Sequence, residues 1–288
     1  LALNKKTFQT RTLTAIIFVV VMLCGLLINS WTFYTLFFII HWGCWIEYEK
    51  MIKLISPEYA RADLRVTSIP KLIGCGFLLF CLPHDIKILN LNIYFLGEMI
   101  MLIGAIKFLL GLFKERENKV IIIRYAILGL LYISLSWGLM INLRNINFIV
   151  FPIGFVAALT LVASVWINDT MQYIVGSVIG KTPFSTISPN KTLEGTIGGS
   201  ILCVLAVSII GYLFVNKNLL HLFIIVSLIA AIIGTLGDLL ESKIKRLAGV
   251  KDSGNFMPGH GGFLDRFDSL ILATPFVWAV AVIWFSFS

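Results

Sequence analysis

The chain has 288 residues, 58% of them hydrophobic and only 13% charged, with a formal net charge of +8. Soluble domains carry about 25% charged residues, and mean hydropathy here is +0.93. Composition therefore excludes an ordinary soluble enzyme or a nucleic-acid-binding protein and points to an integral membrane protein, whose core is set by bilayer spans.

The N-terminus carries Lys5, Lys6 and Arg11, then an apolar run from Leu13 to Ile28. "INSW" follows rather than a small-x-small cleavage site, so the run is expected to be a retained first span. Runs long and apolar enough to mark spans recur at 13–29, 31–46, 69–83, 91–113, 120–143, 147–167, 196–215, 219–237 and 270–287. The third is short, and the apolar stretch 172–180 is too brief to cross. Glu98 and Lys107 lie inside the fourth span, where ionisable groups are functional suspects, but nine residues of separation do not make them a pair. The five Cys (Cys24, Cys44, Cys75, Cys81, Cys203) sit in or beside apolar runs with no CxxC pair, so neither a disulfide framework nor a zinc site is expected.

The expected fold is all-α and polytopic, with about nine transmembrane helices. With the N-terminus cytoplasmic, all of the 23 Lys and Arg except Lys87, Lys107, Arg144 and Lys217 fall in inside segments. That asymmetry predicts a cytoplasmic N-terminus and an outside C-terminus, and it gives the inner face a charge suited to anionic lipid headgroups. The chain reads as a single membrane domain over 1–288, with less informative spans in 1–150 and the catalytic spans and loops in 151–288. The long polar inside segments are 168–195 and 238–269, so function is expected to face the cytoplasm.

The first of these reads "NDTMQYIVGSVIGKTPFSTISPNKTLEG". "GSVIGKT" is not a Walker A loop, because three residues rather than four separate Gly176 from Gly180 and no strand precedes it. Ser188, Asn190, Lys191 and Thr192 precede the seventh span, where hydroxyls and a Lys at a helix N-terminus suit an anion or simply cap the helix. Gly195 and Gly199 form a small-xxx-small pair of the kind that packs helices. Asp169 is either a further ligand or an interfacial charge.

The second segment opens with "DLLESKIKRLAG", which reads as a helix closed near Gly249. Asp238, Glu241, Ser242, Lys245 and Arg246 fall on one face of it. Lys251 and Asp252 follow, then a Gly/Pro loop with His260, Gly261 and Gly262, then "DRFD". Asp265 and Asp268 are three apart, on one side of a helix whose N-terminal dipole favours negative charge. Asp238, Asp265 and Asp268 are candidate ligands of a hard divalent cation, which takes oxygen ligands. Lys245, Arg246, Lys251 and Arg266 complement phosphate oxygens, and the glycines allow close backbone approach. The set is that of phosphoryl or nucleotidyl transfer.

The run Ser242-x-Ile244-Lys245-Arg246-(x4)-Lys251-Asp252-x-Gly254-(x2)-Met257-Pro258-x-His260-Gly261-Gly262-Phe263-x-Asp265-Arg266-Phe267-Asp268 closely resembles the signature of the phosphatidate cytidylyltransferases, or CDP-diacylglycerol synthases. Met257 departs mildly from the Leu or Ile usual there. "SPNKTLEGTIGG" resembles a second stretch of that family. "NDTMQYIVGSVIGK" matches more loosely, with Ser177 where the family often has a cation. The resemblance covers about 165–275. It implies that CTP and phosphatidic acid are converted to CDP-diacylglycerol and pyrophosphate.

It also implies one or two Mg2+ ions, with a monovalent ion left open, held by Asp238, Asp265 and Asp268, with Asp169 a further candidate. Lys251 and Asp252 join the three aspartates as the catalytic set. Ser188, Asn190, Lys191, Thr192, Lys245, Arg246, His260, Gly261, Gly262 and Arg266 form the substrate-binding set. The expected partners are CTP, phosphatidic acid and membrane lipids, not nucleic acid, and a homodimer is left open. The expected location is a bacterial inner membrane. Two alternatives stay open: a CTP-dependent transferase acting on another lipid phosphate, and a membrane transporter. Against the transporter, polar density lies on one face and no repeat halves are evident.

Overall fold

The computed structural model of the chain describes residues 5–88, 91–115, 118–146, 153–189, 191–257 and 261–287. Among the described residues the apolar runs fold mainly as helix, the conformation that satisfies every backbone group within one segment in lipid. In chain order these are α1 (Lys5–Leu27), α2 (Ser30–Ile55), the short α3 (Pro57–Arg61) and α4 (Leu64–Thr67), α5 (Ile69–Phe80) and α6 (Ile93–Lys114). Next come α7 (Lys119–Gly129), a π-turn over Leu130–Ser134, α8 (Leu135–Asn145), α9 (Ile153–Ile179), α10 (Leu193–Phe214), α11 (Leu220–Leu247) and α12 (Leu264–Phe287). The only strands among the described residues are β1 (Lys87–Ile88) and β2 (Leu91–Asn92), an antiparallel pair.

Six helical segments are long and apolar enough to cross a membrane: Ile93–Lys114, Lys119–Asn145, Ile153–Ile179, Leu193–Phe214, Lys217–Leu247 and Leu264–Ile283. The fold is thus helical and multi-pass. Three helices run farther than hydropathy alone suggests. α9 continues through Asn168 and Asp169 to Ile179, α11 continues past Asp238 to Leu247, and α12 starts at Leu264 rather than 270. Helix hydrogen bonding does not stop where the apolar run does; it stops where a cap or a breaker intervenes.

The chain forms two compact units, one of residues 1–142 and 244–267, the other of residues 143–243 and 268–288. In the first, α2 contributes many buried residues. Asn29 and Thr32 open it with a reciprocal capping box, Thr32 N donating to Asn29 Oδ1 at 2.9 Å and Asn29 N to Thr32 Oγ1 at 3.2 Å. Trp45, Trp137, Phe33 and Phe37 form its aromatic core. The π-turn delivers Ser134, whose Oγ accepts Trp45 Nε1–H at 2.9 Å and lies 3.0 Å from His41 Nε2. α6 presents Gly97, Gly104 and Gly111 at seven-residue intervals. A Cβ there would meet the Gly76 carbonyl, Ile73 and Val66 respectively, so small residues set how closely α6 lies against α4 and α5.

In the second unit, α9 and α10 are in equally close contact. A Cβ on Gly199 would meet the Gln172 backbone, and one on Gly195 would meet the Gly176 backbone and the Gln172 carbonyl. The small-xxx-small pair is therefore a packing device here. Gln172 Nε2 donates to Thr235 Oγ1 at 2.9 Å, tying α9 to α11. Gly237 of α11 leaves room for the Asp268 carbonyl of α12. All five Cys are free thiols.

Candidate active site

Within the first unit, α11 closes as its sequence indicates. Gly249 takes φ +69, and Gly249 N and Val250 N donate to the carbonyls of Arg246 and Lys245 at 3.1 and 3.0 Å. The chain then loops back to α12. Asp265, in the first turn of α12, gathers the loop around itself. Its Oδ1 accepts Lys245 Nζ at 2.7 Å. Its Oδ2 accepts Gly262 N at 2.7 Å, Ser253 N at 2.8 Å and Ser253 Oγ at 2.9 Å. Gly261 has φ +81, a conformation that favours Gly, and a Cβ there would meet the Asp265 carboxylate. Arg246, Lys251, Asp252 and Arg266 are exposed.

The same loop also leans on Glu47 of α2. Glu47 Oε1 accepts Phe263 N at 2.9 Å, and Oε2 accepts Leu264 N at 2.9 Å and Ser253 Oγ at 2.7 Å. Sequence reasoning missed Glu47 and Ser253. Glu47 sits where a hydropathy window ends, just past the run 31–46. In the structure it is only 4% exposed. The usable signal was that "WIEYEK" continues helix-forming residues well past the apolar run.

In the second unit, the carboxylates of Asp169, Asp238 and Glu241 lie close enough to Asp268 to act on it electrostatically. Glu241 and Asp268 are buried, at 0% and 8% exposure. Lys191 Nζ meets Asp238 Oδ2 at 2.7 Å, with both side chains about a quarter exposed (26% and 24%); the approach is that of an ion pair rather than an aligned hydrogen bond. Lys191 is presented by a pinned loop. Glu194 accepts Lys181 N, Thr182 N and Thr182 Oγ1 at 3.0, 3.1 and 2.8 Å, and Phe184 N donates to the Lys191 carbonyl at 2.8 Å. Thr192 serves as the α10 N-cap, its Oγ1 accepting Gly195 N at 3.1 Å. Ser188 forms a turn, its carbonyl accepting Lys191 N at 3.2 Å. Asp169 lies inside α9 rather than after it; beside it, buried Asn168 Oδ1 has no hydrogen-bond partner among the described residues. Asn190 and His260 lie outside the described residues.

The structure thus brings Asp238 together with Asp268, Asp169 and Lys191 in one unit, and Lys245 together with Asp265 and the Gly261–Gly262 turn in the other. Among the described residues, no three His, Cys, Asp or Glu side chains are arranged to hold a metal ion. The second unit supplies donors of the type such an ion takes, without that arrangement. Its carboxylates are hard oxygen ligands that need cationic charge to coexist, and Lys191 supplies charge to Asp238. Between α10 and α11 runs an apolar groove of about 490 Å³, lined by Ile197, Ile201, Leu205, Leu228 and Leu236 among others.

Comparison with known proteins agrees in kind. The model of the Cytidylyltransferase family matches residues 9–284. The phosphatidate cytidylyltransferase of Staphylococcus saprophyticus is 32% identical over 280 residues, covering 93% of this chain and 96% of that protein. That of Bacillus subtilis is 33% identical over 220 residues, 75% of this chain and 79% of that protein. That of Staphylococcus haemolyticus is 52% identical over 113 residues, and this match spans only 43% of that protein and 38% of this chain.

Proposed function

Because the chain belongs to the cytidylyltransferase family, we propose that it is a phosphatidate cytidylyltransferase: it joins CTP to phosphatidic acid, giving CDP-diacylglycerol and pyrophosphate. The observation that carries this reading is the match to the Staphylococcus saprophyticus phosphatidate cytidylyltransferase over nearly the whole of both chains. The geometry is compatible with it: Lys191 pairs with Asp238 in one unit, and Lys245 pairs with Asp265 beside the Gly261–Gly262 turn in the other.

The phosphatidate oxygen is an anion at neutral pH, so no general base is required. That oxygen attacks the α-phosphorus in line; a P–O bond forms, the bond to the β-phosphate oxygen breaks, and pyrophosphate leaves. The obstacle is repulsion between two anions. Lys191 and Lys245, each now held by an aspartate at 2.7 Å, can turn to incoming phosphate oxygens, joined by the exposed Arg246, Lys251 and Arg266. Asp238 and Asp268, with Asp169 and Glu241 near them, would hold Mg2+, which when bound offsets the triphosphate charge. The apolar groove of α10 and α11 suits an acyl chain.

The same proposal has nine membrane passages, counting α1, α2 and α5 with the six long apolar segments, with the N-terminus and the reaction on the cytoplasmic side of a bacterial inner membrane. The Lys and Arg asymmetry supports that orientation. The test uses purified protein, phosphatidate, Mg2+ and CTP labelled at either the α- or the γ-phosphorus. Label from the α-position in the lipid product is expected. Label from the γ-position would mean phosphoryl transfer, and no label from either would mean no transferase; both outcomes contradict the proposal.

A further inference from the structure

The transfer described above gives Glu47 no role, yet Glu47 is among the most completely engaged side chains of the first unit. A helix start leaves backbone N–H groups without intrahelical partners. At α12 those donors can be accounted for one by one. Gly262 N goes to Asp265 Oδ2, Phe263 N to Glu47 Oε1, Leu264 N to Glu47 Oε2, and Asp265 N to Ser253 Oγ at 3.3 Å. Glu47 thus caps α12 from another helix, at a residue 216 positions away from Phe263. The surrounding residues are cut to fit it. A Cβ on Gly254 or on Gly262 would meet the Glu47 carboxylate. One turn earlier on α2, a Cβ on Gly43 would meet the Phe263 ring, so α2 receives both the ring and the N–H of that residue.

Ser253 extends the connection. Its Oγ lies 2.7 Å from Glu47 Oε2 and 2.9 Å from Asp265 Oδ2. One hydroxyl proton therefore serves two carboxylates, and the second of these holds Lys245. We propose that Glu47 is a positioning residue: through Ser253 and the Phe263 and Leu264 amides it holds the loop between α11 and α12 in the shape that presents Lys245, Lys251 and the Gly261–Gly262 turn to the nucleotide. The assignment of the ligand as a nucleotide rests on the function proposed above; the loop-holding role does not.

Gln at this position keeps the shape but replaces one acceptor oxygen by an NH2. Whichever way the amide turns, either Phe263 N–H or Leu264 N–H loses its acceptor. In Glu47→Gln, hydrogen exchange at the amides of Phe263 and Leu264 should accelerate about tenfold or more, the scale of one lost buried hydrogen bond, while α9 and α10 keep their wild-type exchange. Unchanged exchange at those two amides overturns the proposal, whether or not the protein is active. Kinetically, KM for CTP should rise about tenfold or more. A loss of folded enzyme alone lowers kcat and leaves KM unaltered, and that result would also overturn it. Ser253→Ala, which removes only the bridging hydroxyl, should shift both readouts in the same direction. The double variant should lose less than the product of the two single losses, because both act through one loop; simple multiplication of the losses contradicts the coupling. If the wild type makes no CDP-lipid, the proposed function fails, and the exchange measurement still decides the role of Glu47.

Discussion

Replacing Asp265 by Asn separates charge from scaffold at the centre of the signature loop. Asp265 receives four hydrogen bonds, one at Oδ1 from Lys245 and three at Oδ2 from Gly262 and Ser253. Asn turned with its oxygen toward the three loop donors keeps those bonds, and its NH2 then faces the Lys245 ammonium. The loss is concentrated on the charge-assisted bond, in a pair whose side chains are 12% and 8% exposed and so little screened by solvent. Such a bond contributes roughly 1.5–3 kcal/mol, and setting a donor against the ammonium adds to the loss. In Asp265→Asn, Lys245 is no longer aimed from this anchor toward the incoming phosphate; if the full loss of about 3 kcal/mol is carried into the transition state through that misplacement, kcat/KM falls on the order of 100-fold. The assay is the initial rate of CDP-lipid formation from CTP and phosphatidate, with thermal unfolding in detergent as a control. Asp265→Ala forfeits all four bonds and should unfold at a lower temperature than Asp265→Asn. Near-normal turnover of Asp265→Asn would refute the reasoning, because it would mean that neither the carboxylate charge nor its hold on Lys245 matters to the reaction.

Three other outcomes follow from the packing and electrostatics. Lys191→Ala removes the cation paired with Asp238 amid the other carboxylates; activity should fall at least about tenfold, with Lys191→Arg retaining more than Lys191→Ala, as read by CTP titration. Gly199→Ala places a methyl group against the Gln172 backbone and should destabilise the α9–α10 pair by about 1–3 kcal/mol, measured by thermal unfolding in detergent. Chelation of divalent cations should abolish turnover, and Mg2+ should restore it; full activity in excess chelator would remove the metal from the account.

Much of the fold was legible because lipid imposes a simple demand: every apolar run must satisfy its own backbone, and among the described residues the runs are mainly helical. The α11 extension was legible too, since its amphipathic pattern and Gly249 predict both the helix and its end. Where polar residues enter a continuing helix, hydropathy misplaces the boundary. Asp169 follows the apolar run 147–167 and is expected beyond the sixth span, yet it lies inside α9, because nothing in "NDTMQYIV" breaks a helix. Glu47 was invisible for a related reason. Its role depends on Phe263 and Leu264, more than two hundred residues away, and no local pattern announces such an interaction. The signature residues were found by type and spacing, but their partners were not. Spacing indicates that Asp265 and Asp268 face alike; it does not indicate that the first is enclosed by four donors from Lys245, Ser253 and Gly262.

The proposed reaction has two products, and both can be followed at once. Purified wild-type protein is incubated with CTP, phosphatidic acid and Mg2+, and the lipid product and pyrophosphate are both quantified. The account predicts CDP-diacylglycerol identified by mass, with one pyrophosphate released per CDP-lipid formed. Folded protein that yields no CDP-diacylglycerol, or that releases pyrophosphate without a CDP-lipid, would contradict it.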